Sequence, residues 1–175
     1  MRRTFLTLAL AFAAPLHAQG LMADFHADVR QVQQKLIALA KAMPENTYSW
    51  HPNGARSVGE LFMHVAEDNY FIPVAMGKPA PASTGITEDY KSTAAYTGKQ
   101  RTKEQIIAEL EASFTHLHEA MGLTTDENRL EKLKVFGQEF TRQRLMILTV
   151  THLHEHLGQA IAYARSNNVV PPWSK

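Results

Sequence analysis

The sequence predicts an all-α fold, a four-helix bundle with a long crossover connection between helices 2 and 3. Apolar residues recur every three or four positions in four separate segments, as they do on the buried face of a helix. Capping-box patterns precede two of these segments. A segment rich in Pro, Gly, Ser and Thr separates the second from the third, and such connections suit bundles that are not simply up-down-up-down.

The first two helices are defined by apolar stripes and by their ends. Helix 1 is predicted over residues 21–43, because the apolar spacing alternates between four and three until Pro44 ends it. Helix 2 starts after a capping box in which Ser57 and Glu60 satisfy the exposed amides of the first turn. Pro73 is expected to end or kink this helix.

The second half of the chain contains the connection and two further predicted helices. The connection covers residues 73–101, and a loop of this length is usually a functional cover or a crossover. Helix 3 starts after a second capping box at Thr102, and helix 4 is predicted over residues 141–166. The stretch 124–140 is predicted to be irregular, with at most a short extended piece at 135–137, and no strand signal is strong enough to predict a sheet.

Residues 1–18 are predicted to be a signal peptide, which leaves residues 19–175 as the mature domain. Arg2 and Arg3 form a positive start, a short apolar run follows, and a cleavage site lies after Ala18. An uncleaved N-terminal anchor or a buried helix is the alternative, and the arginine pair leaves both the general and the twin-arginine export routes open. We expect a periplasmic or secreted protein without a stable membrane span after leader removal.

Composition excludes several classes of function. The chain has 18 basic and 17 acidic residues and no cysteine. Without a basic run that could follow a phosphate backbone, we expect no nucleic-acid partner. Without cysteine, disulfides, thiolate ligands and a cysteine nucleophile are excluded. Neither the His-Glu-x-x-His motif of zinc proteases nor a Gly-x-Ser-x-Gly motif occurs.

Three histidines are candidate metal ligands. His152 and His156 are one turn apart on helix 4, roughly 6 Å apart at the backbone, so both imidazoles can reach one ion. His64 lies on the inward stripe of helix 2, one turn before Asp68, which is a candidate to orient a ligand or a water, with a surface or capping role as the alternative. Facing helices of a bundle commonly supply such ligands. Gln159 shares the face of the helix-4 pair and is a candidate to bond a bound group.

A structural role for these histidines is the alternative at this point. The chain contains nine histidines, so an i,i+4 pair arises readily by chance, and a single inward histidine is more often a hydrogen-bonded core residue. His154 is expected to be solvated because it points away from the pair. His116, His118 and His26 are also expected at the surface.

Four segments together resemble the DinB-like (YfiT-like) superfamily. They are the loop after helix 1 with Met-Pro-Glu at 43–45 and Tyr-Ser-Trp at 48–50, Ser-Val-Gly-Glu-Leu-Phe-Met-His at 57–64, His-Leu-His-Glu-His-Leu-Gly-Gln at 152–159, and Val-Pro-Pro at 170–172. The resemblance implies a left-handed four-helix bundle with a three-histidine site for a divalent metal ion, zinc or nickel. It also implies a homodimer. The leader is a departure from the family pattern.

The resemblance and the residues together predict an exported metal-dependent enzyme that acts on a small-molecule substrate at His64, His152 and His156. Three protein ligands leave a coordination position open for water or substrate, which permits a hydrolase, and the resemblance implies a thiol-type transferase as the other reaction. A non-catalytic metal- or ligand-binding module of the cell envelope is the alternative.

Overall fold

The computed structural model describes residues 20–135 and 137–174, so the predicted leader lies outside the described residues. The helices and strands are α1 (Leu21–Ala42), α2 (Val58–Ala75), α3 (Thr93–Thr97), α4 (Lys103–Met121), β1 (Lys132–Val135), β2 (Gln138–Thr141) and α5 (Arg142–Ser166). The predicted all-α fold class is confirmed, because α1, α2, α4 and α5 pack around one apolar core. No helix among the described residues combines the length and the apolarity that a bilayer crossing requires.

Both predicted capping boxes are formed. Ser57 Oγ accepts a hydrogen bond from the Glu60 amide at 3.2 Å, and the Glu60 carboxylate accepts one from the Ser57 amide at 2.7 Å. Thr102 and Gln105 exchange the same two bonds at the start of α4. Each box satisfies two amides that a helix start leaves without an intrahelical partner.

The prediction for Pro73 was wrong in part, because α2 continues to Ala75. Proline lacks the amide that would donate to the preceding turn. The Pro73 carbonyl still accepts hydrogen bonds from the amides of Met76 and Lys78, both at 2.9 Å. These bonds close the last turn, so the helix ends after the proline.

The helices α2 and α4 run in the same direction. Gly59 packs against Ile106 near the start of both helices, and Asn69 Nδ2 donates to Ser113 Oγ at 3.1 Å near their middle. The chain between them, residues 76–102, therefore returns along the bundle before α4 begins. This segment contains α3 and two 3-10 turns, so it is more ordered than a plain loop.

A short hairpin corrects the prediction for residues 124–140. β1 and β2 pair antiparallel, with Lys132 opposite Thr141 and Val135 opposite Gln138. Gly137 has φ of 74°, a left-handed conformation that suits glycine at a tight turn. Strands of four residues rich in charge carry too little alternation for a sequence pattern to reveal them.

Helix α2 is the central element of the bundle. Each of its residues from Val58 to Pro73 is buried except Glu60. Polar side chains on such a helix carry a large desolvation cost unless they have hydrogen-bond or ion-pair partners. Four of them, His64, Glu67, Asp68 and Asn69, lie in its middle at 7% exposure or less. Their partners therefore identify the candidate functional site.

Candidate metal centre

The three predicted histidines lie together where α2 and α5 face each other. The ring centroids of His64 and His156 are 4.7 Å apart, and Asp68 Oδ2 lies 2.7 Å from His152 Nε2. His64 and Asp68 are one turn apart on α2, as are the two histidines on α5, and the two helices run in opposite directions. One turn along α2 therefore matches one turn back along α5.

The cluster offers four ligand atoms to a common point. One nitrogen or carboxylate oxygen from each of His64, Asp68, His152 and His156 lies within 4.8 Å of the others. His152 Nε2 is 3.1 Å from His156 Nε2, and His64 Nε2 is 3.2 Å from Asp68 Oδ2. The side chain of His152 is 26% exposed while the other three residues are buried. The cluster is thus open to solvent on the His152 side.

The outer nitrogens of two of these rings are already held by acceptors. His64 Nδ1 donates to Glu67 Oε2 at 3.3 Å, and His156 Nδ1 donates to Gln159 Oε1 at 2.8 Å. Since the outer nitrogens carry the hydrogens, the Nε2 atoms present lone pairs to the cluster. Metal-binding histidines are characteristically oriented by such acceptors behind the ring.

The charges of the cluster also suit a cation. The hydrogen bond to Asp68 raises the pKa of His152 above its ordinary value, so a proton is favoured between imidazole and carboxylate. Burial lowers the pKa of His156 and favours the neutral imidazole, which is the metal-binding form. Lone pairs of His64 and His156 that converge near a carboxylate oxygen repel one another unless a cation lies between them. Nitrogen and oxygen donors of this kind fit a divalent transition metal ion.

A cavity of about 660 Å³ adjoins the cluster at His64 and Glu67. The connection between α2 and α4 also lines this cavity, through Tyr90, Lys91 and residues of α3. Burial, followed by the nearby carboxylates of Glu67 and Asp68, raises the pKa of Tyr90. The connection thus lies beside the candidate site on its His64 side, and whether it covers the opening stays a prediction. The cavity is large enough for a small molecule.

Sequence reasoning singled out His64, His152, His156, Asp68 and Gln159, and the structure brings all five together. It missed Glu67, because a charged residue in a helix usually lies on the solvated face. The spacing of three residues from His64 was the available signal, since residues at i and i+3 share a helix face.

The other histidines are placed partly as expected. His154 is exposed and bonds the backbone of its own helix, as expected. His116 is 8% exposed and packs against Tyr70 at 5.4 Å between ring centroids, so the surface prediction was wrong. His26 and His118 are half-buried and stack on each other. The buried face of α4 is therefore wider than the stripe of apolar residues in its sequence, since it also includes His116.

Comparison with solved structures supports the fold. The chain is similar to a DinB-like protein from Bacillus cereus ATCC 10987, with 17% identity, 85% of this chain and 93% of that chain covered, and a TM-score of 0.68. It is similar to the DinB-like protein YjoA from Bacillus subtilis, with 15% identity, coverages of 84% and 93%, and a TM-score of 0.64.

A third similar structure is YfiT from Bacillus subtilis, described as a probable metal-dependent hydrolase with an unusual four-helix bundle topology. The identity is 13%, the coverage is 90% of this chain and 94% of that chain, and the TM-score is 0.64. No curated protein matches the sequence. Residues 28–160 match the family model described as the DinB superfamily. Because that match spans well over half of the sequence, the chain belongs to the DinB superfamily.

Proposed function

We propose that the chain is a metal-dependent enzyme that acts on a small molecule, with a divalent ion held by His64, His152 and His156. The observation that carries the proposal is the orientation of the imidazoles. Glu67 and Gln159 hold the outer nitrogens of two rings, so their Nε2 lone pairs converge where a cation is favoured. Zinc and nickel are the ions that we expect.

A bound divalent ion would supply Lewis acidity to a substrate group. Within the chain, Glu67 and Gln159 orient the histidines, and the connection with Tyr90 lines the cavity beside them. We propose a hydrolase first, since YfiT is described as a probable metal-dependent hydrolase, and a thiol-type transferase as the other reaction.

The position of Asp68 favours a second candidate, a non-catalytic metal-binding module. Its Oδ2 lies close to both His152 and His64. If Asp68 is itself a ligand, it completes the four protein donors that are typical of closed structural sites. If it only accepts a hydrogen bond from His152, a coordination position remains open.

The metal centre is tested by elemental analysis of protein purified without a histidine tag. Wild type should hold about one divalent ion per chain, and His64→Ala should lose most of it. His154→Ala is the matched control, because it removes an exposed histidine of the same helix as the His152 and His156 pair and should leave the metal content unchanged. The same sub-stoichiometric metal in all three proteins would refute the proposal.

The enzyme and the module are separated by turnover. A panel of ester, amide and thiol substrates should reveal activity that is lost in His152→Ala and kept in His154→Ala. A crystal structure of the zinc protein gives the second readout. Four protein donors together with no turnover would support the module, whereas three donors and a solvent or substrate atom would support the enzyme.

We also propose that the protein is exported and acts in the periplasm or outside the cell. This rests on the leader pattern of residues 1–18. Cell fractionation and the intact mass of the mature protein test it, with cleavage after Ala18 expected. The homodimer implied by the family is a separate prediction, for which light scattering gives the mass in solution.

A further inference from the structure

Glu67 has a carboxylate oxygen that the candidate metal centre does not use. Its side chain is 5% exposed, and Oε2 accepts from His64 Nδ1. Oε1 is buried and has no hydrogen-bond partner among residues 20–135 and 137–174. Leaving a buried charged acceptor without a partner is costly, so such an atom in a native protein requires an explanation.

The surroundings of Glu67 indicate what would satisfy this oxygen. Glu67 lines the cavity that adjoins the cluster, so a molecule bound there lies beside this side chain, and its carboxyl group has to turn for the buried Oε1 to meet it. A carboxylate accepts and never donates when ionised, and its strongest partners are cationic N–H donors. Only the imidazole ring of His64 separates Glu67 from the cluster. A cationic substrate group bound by Glu67 would therefore lie close to the substrate group that binds the metal ion.

The cations of the cavity do not fill this role. Arg56 and Lys91 line the same cavity, but both are exposed and neither forms an ion pair with Glu67 in the described part of the chain. Solvent and salt screen exposed charges strongly, whereas a buried carboxylate is screened much less. Neither rim cation therefore neutralises the buried carboxylate of Glu67 by direct contact.

We propose that Glu67 is a specificity-determining residue that binds an amino group of the substrate. The substrate class is then a small molecule that carries an ammonium group close to its metal-binding group. This inference rests on the proposed function, because the metal ion fixes one end of the substrate.

The test measures, by titration calorimetry, the dissociation constants of three hydroxamates that serve as metal-binding probes for the zinc-loaded protein. β-Alanine hydroxamate carries an ammonium group, butyrohydroxamate replaces it with a methyl group, and succinohydroxamate carries a carboxylate. Wild type should bind the ammonium probe at least about tenfold more tightly than the methyl probe, as expected for a charged hydrogen bond. The carboxylate probe should bind more weakly than either.

Two variants assign the preference to one residue. Glu67→Gln keeps an acceptor for His64 Nδ1 but removes the charge, so the ratio of the two dissociation constants should fall to about one. Glu60→Gln is the matched control: Glu60 lines the same cavity, and glutamine preserves its capping box. This control should retain the wild-type preference.

The outcomes separate this inference from the proposed function. Zinc content is measured first in all three proteins, and its absence from wild type would overturn both. Normal zinc content with no ammonium preference in wild type would overturn the role of Glu67 alone. That role would also be overturned if Glu67→Gln keeps the preference, or if the carboxylate probe binds best.

Discussion

Replacing Gln159 tests whether the hydrogen bond behind His156 serves metal binding. In Gln159→Leu the Nδ1 atom of His156 loses its acceptor, which lies at 2.8 Å in the wild type. Removing a partner of this kind typically lowers metal affinity about 10- to 100-fold. We expect the same here, a loss of about 1.4 to 2.7 kcal/mol in binding free energy.

The assay is a competitive titration of zinc against a chelator, with the metal-free protein checked by circular dichroism. Gln159→Glu is the matched variant, because a carboxylate also accepts from Nδ1, and it should bind zinc at least as tightly as wild type. If Gln159→Leu binds zinc with wild-type affinity, the bond does not orient a ligand, and the assignment of His156 loses its main support.

Three further predictions concern stability. Zinc at about 100 times its dissociation constant should stabilise the wild type by about 2.7 kcal/mol, which raises the melting temperature by about 5 to 11 °C, and calorimetry should show no such shift in His64→Ala. Ser57→Ala should lower the free energy of unfolding by about 1 kcal/mol in urea titrations, through loss of the capping bond. Burial lowers the pKa of His116 below the ordinary value of 6.5, so the unfolded chain binds a proton more readily there, and stability should fall as pH drops below 6.5 towards the lowered pKa. Urea titrations at pH 7 and pH 5 should show a smaller loss in His116→Leu than in wild type, and an equal loss would contradict this explanation.

The helices could be predicted because their signals are local. The capping residues Ser57 and Thr102 and the apolar stripes act within a few turns of chain, and the observed helices agree with them to within a few residues. The hairpin of β1 and β2 was not predicted, since pairing between strands of four residues is decided by contacts outside each strand.

Some features of the candidate site could likewise be predicted from local sequence, whereas others depend on packing between helices. The spacing of His152 and His156 on one helix face was available from the sequence, as was the inward position of His64. The burial of Glu67 and the hydrogen bond from His152 to Asp68 were not available. Both depend on how α2 is surrounded by its neighbours, and a helix buried on nearly all sides has no solvated face for its charged residues.

The sequence by itself determined where the four bundle helices begin and which histidines share a face, because periodicity and capping are properties of neighbouring residues. Only the tertiary structure decided that α2 and α5 meet in opposite directions, so that His64 faces His156 and Asp68 faces His152. The physical reason is that convergence of donors depends on packing between helices far apart in the chain, and no local pattern encodes their direction or depth.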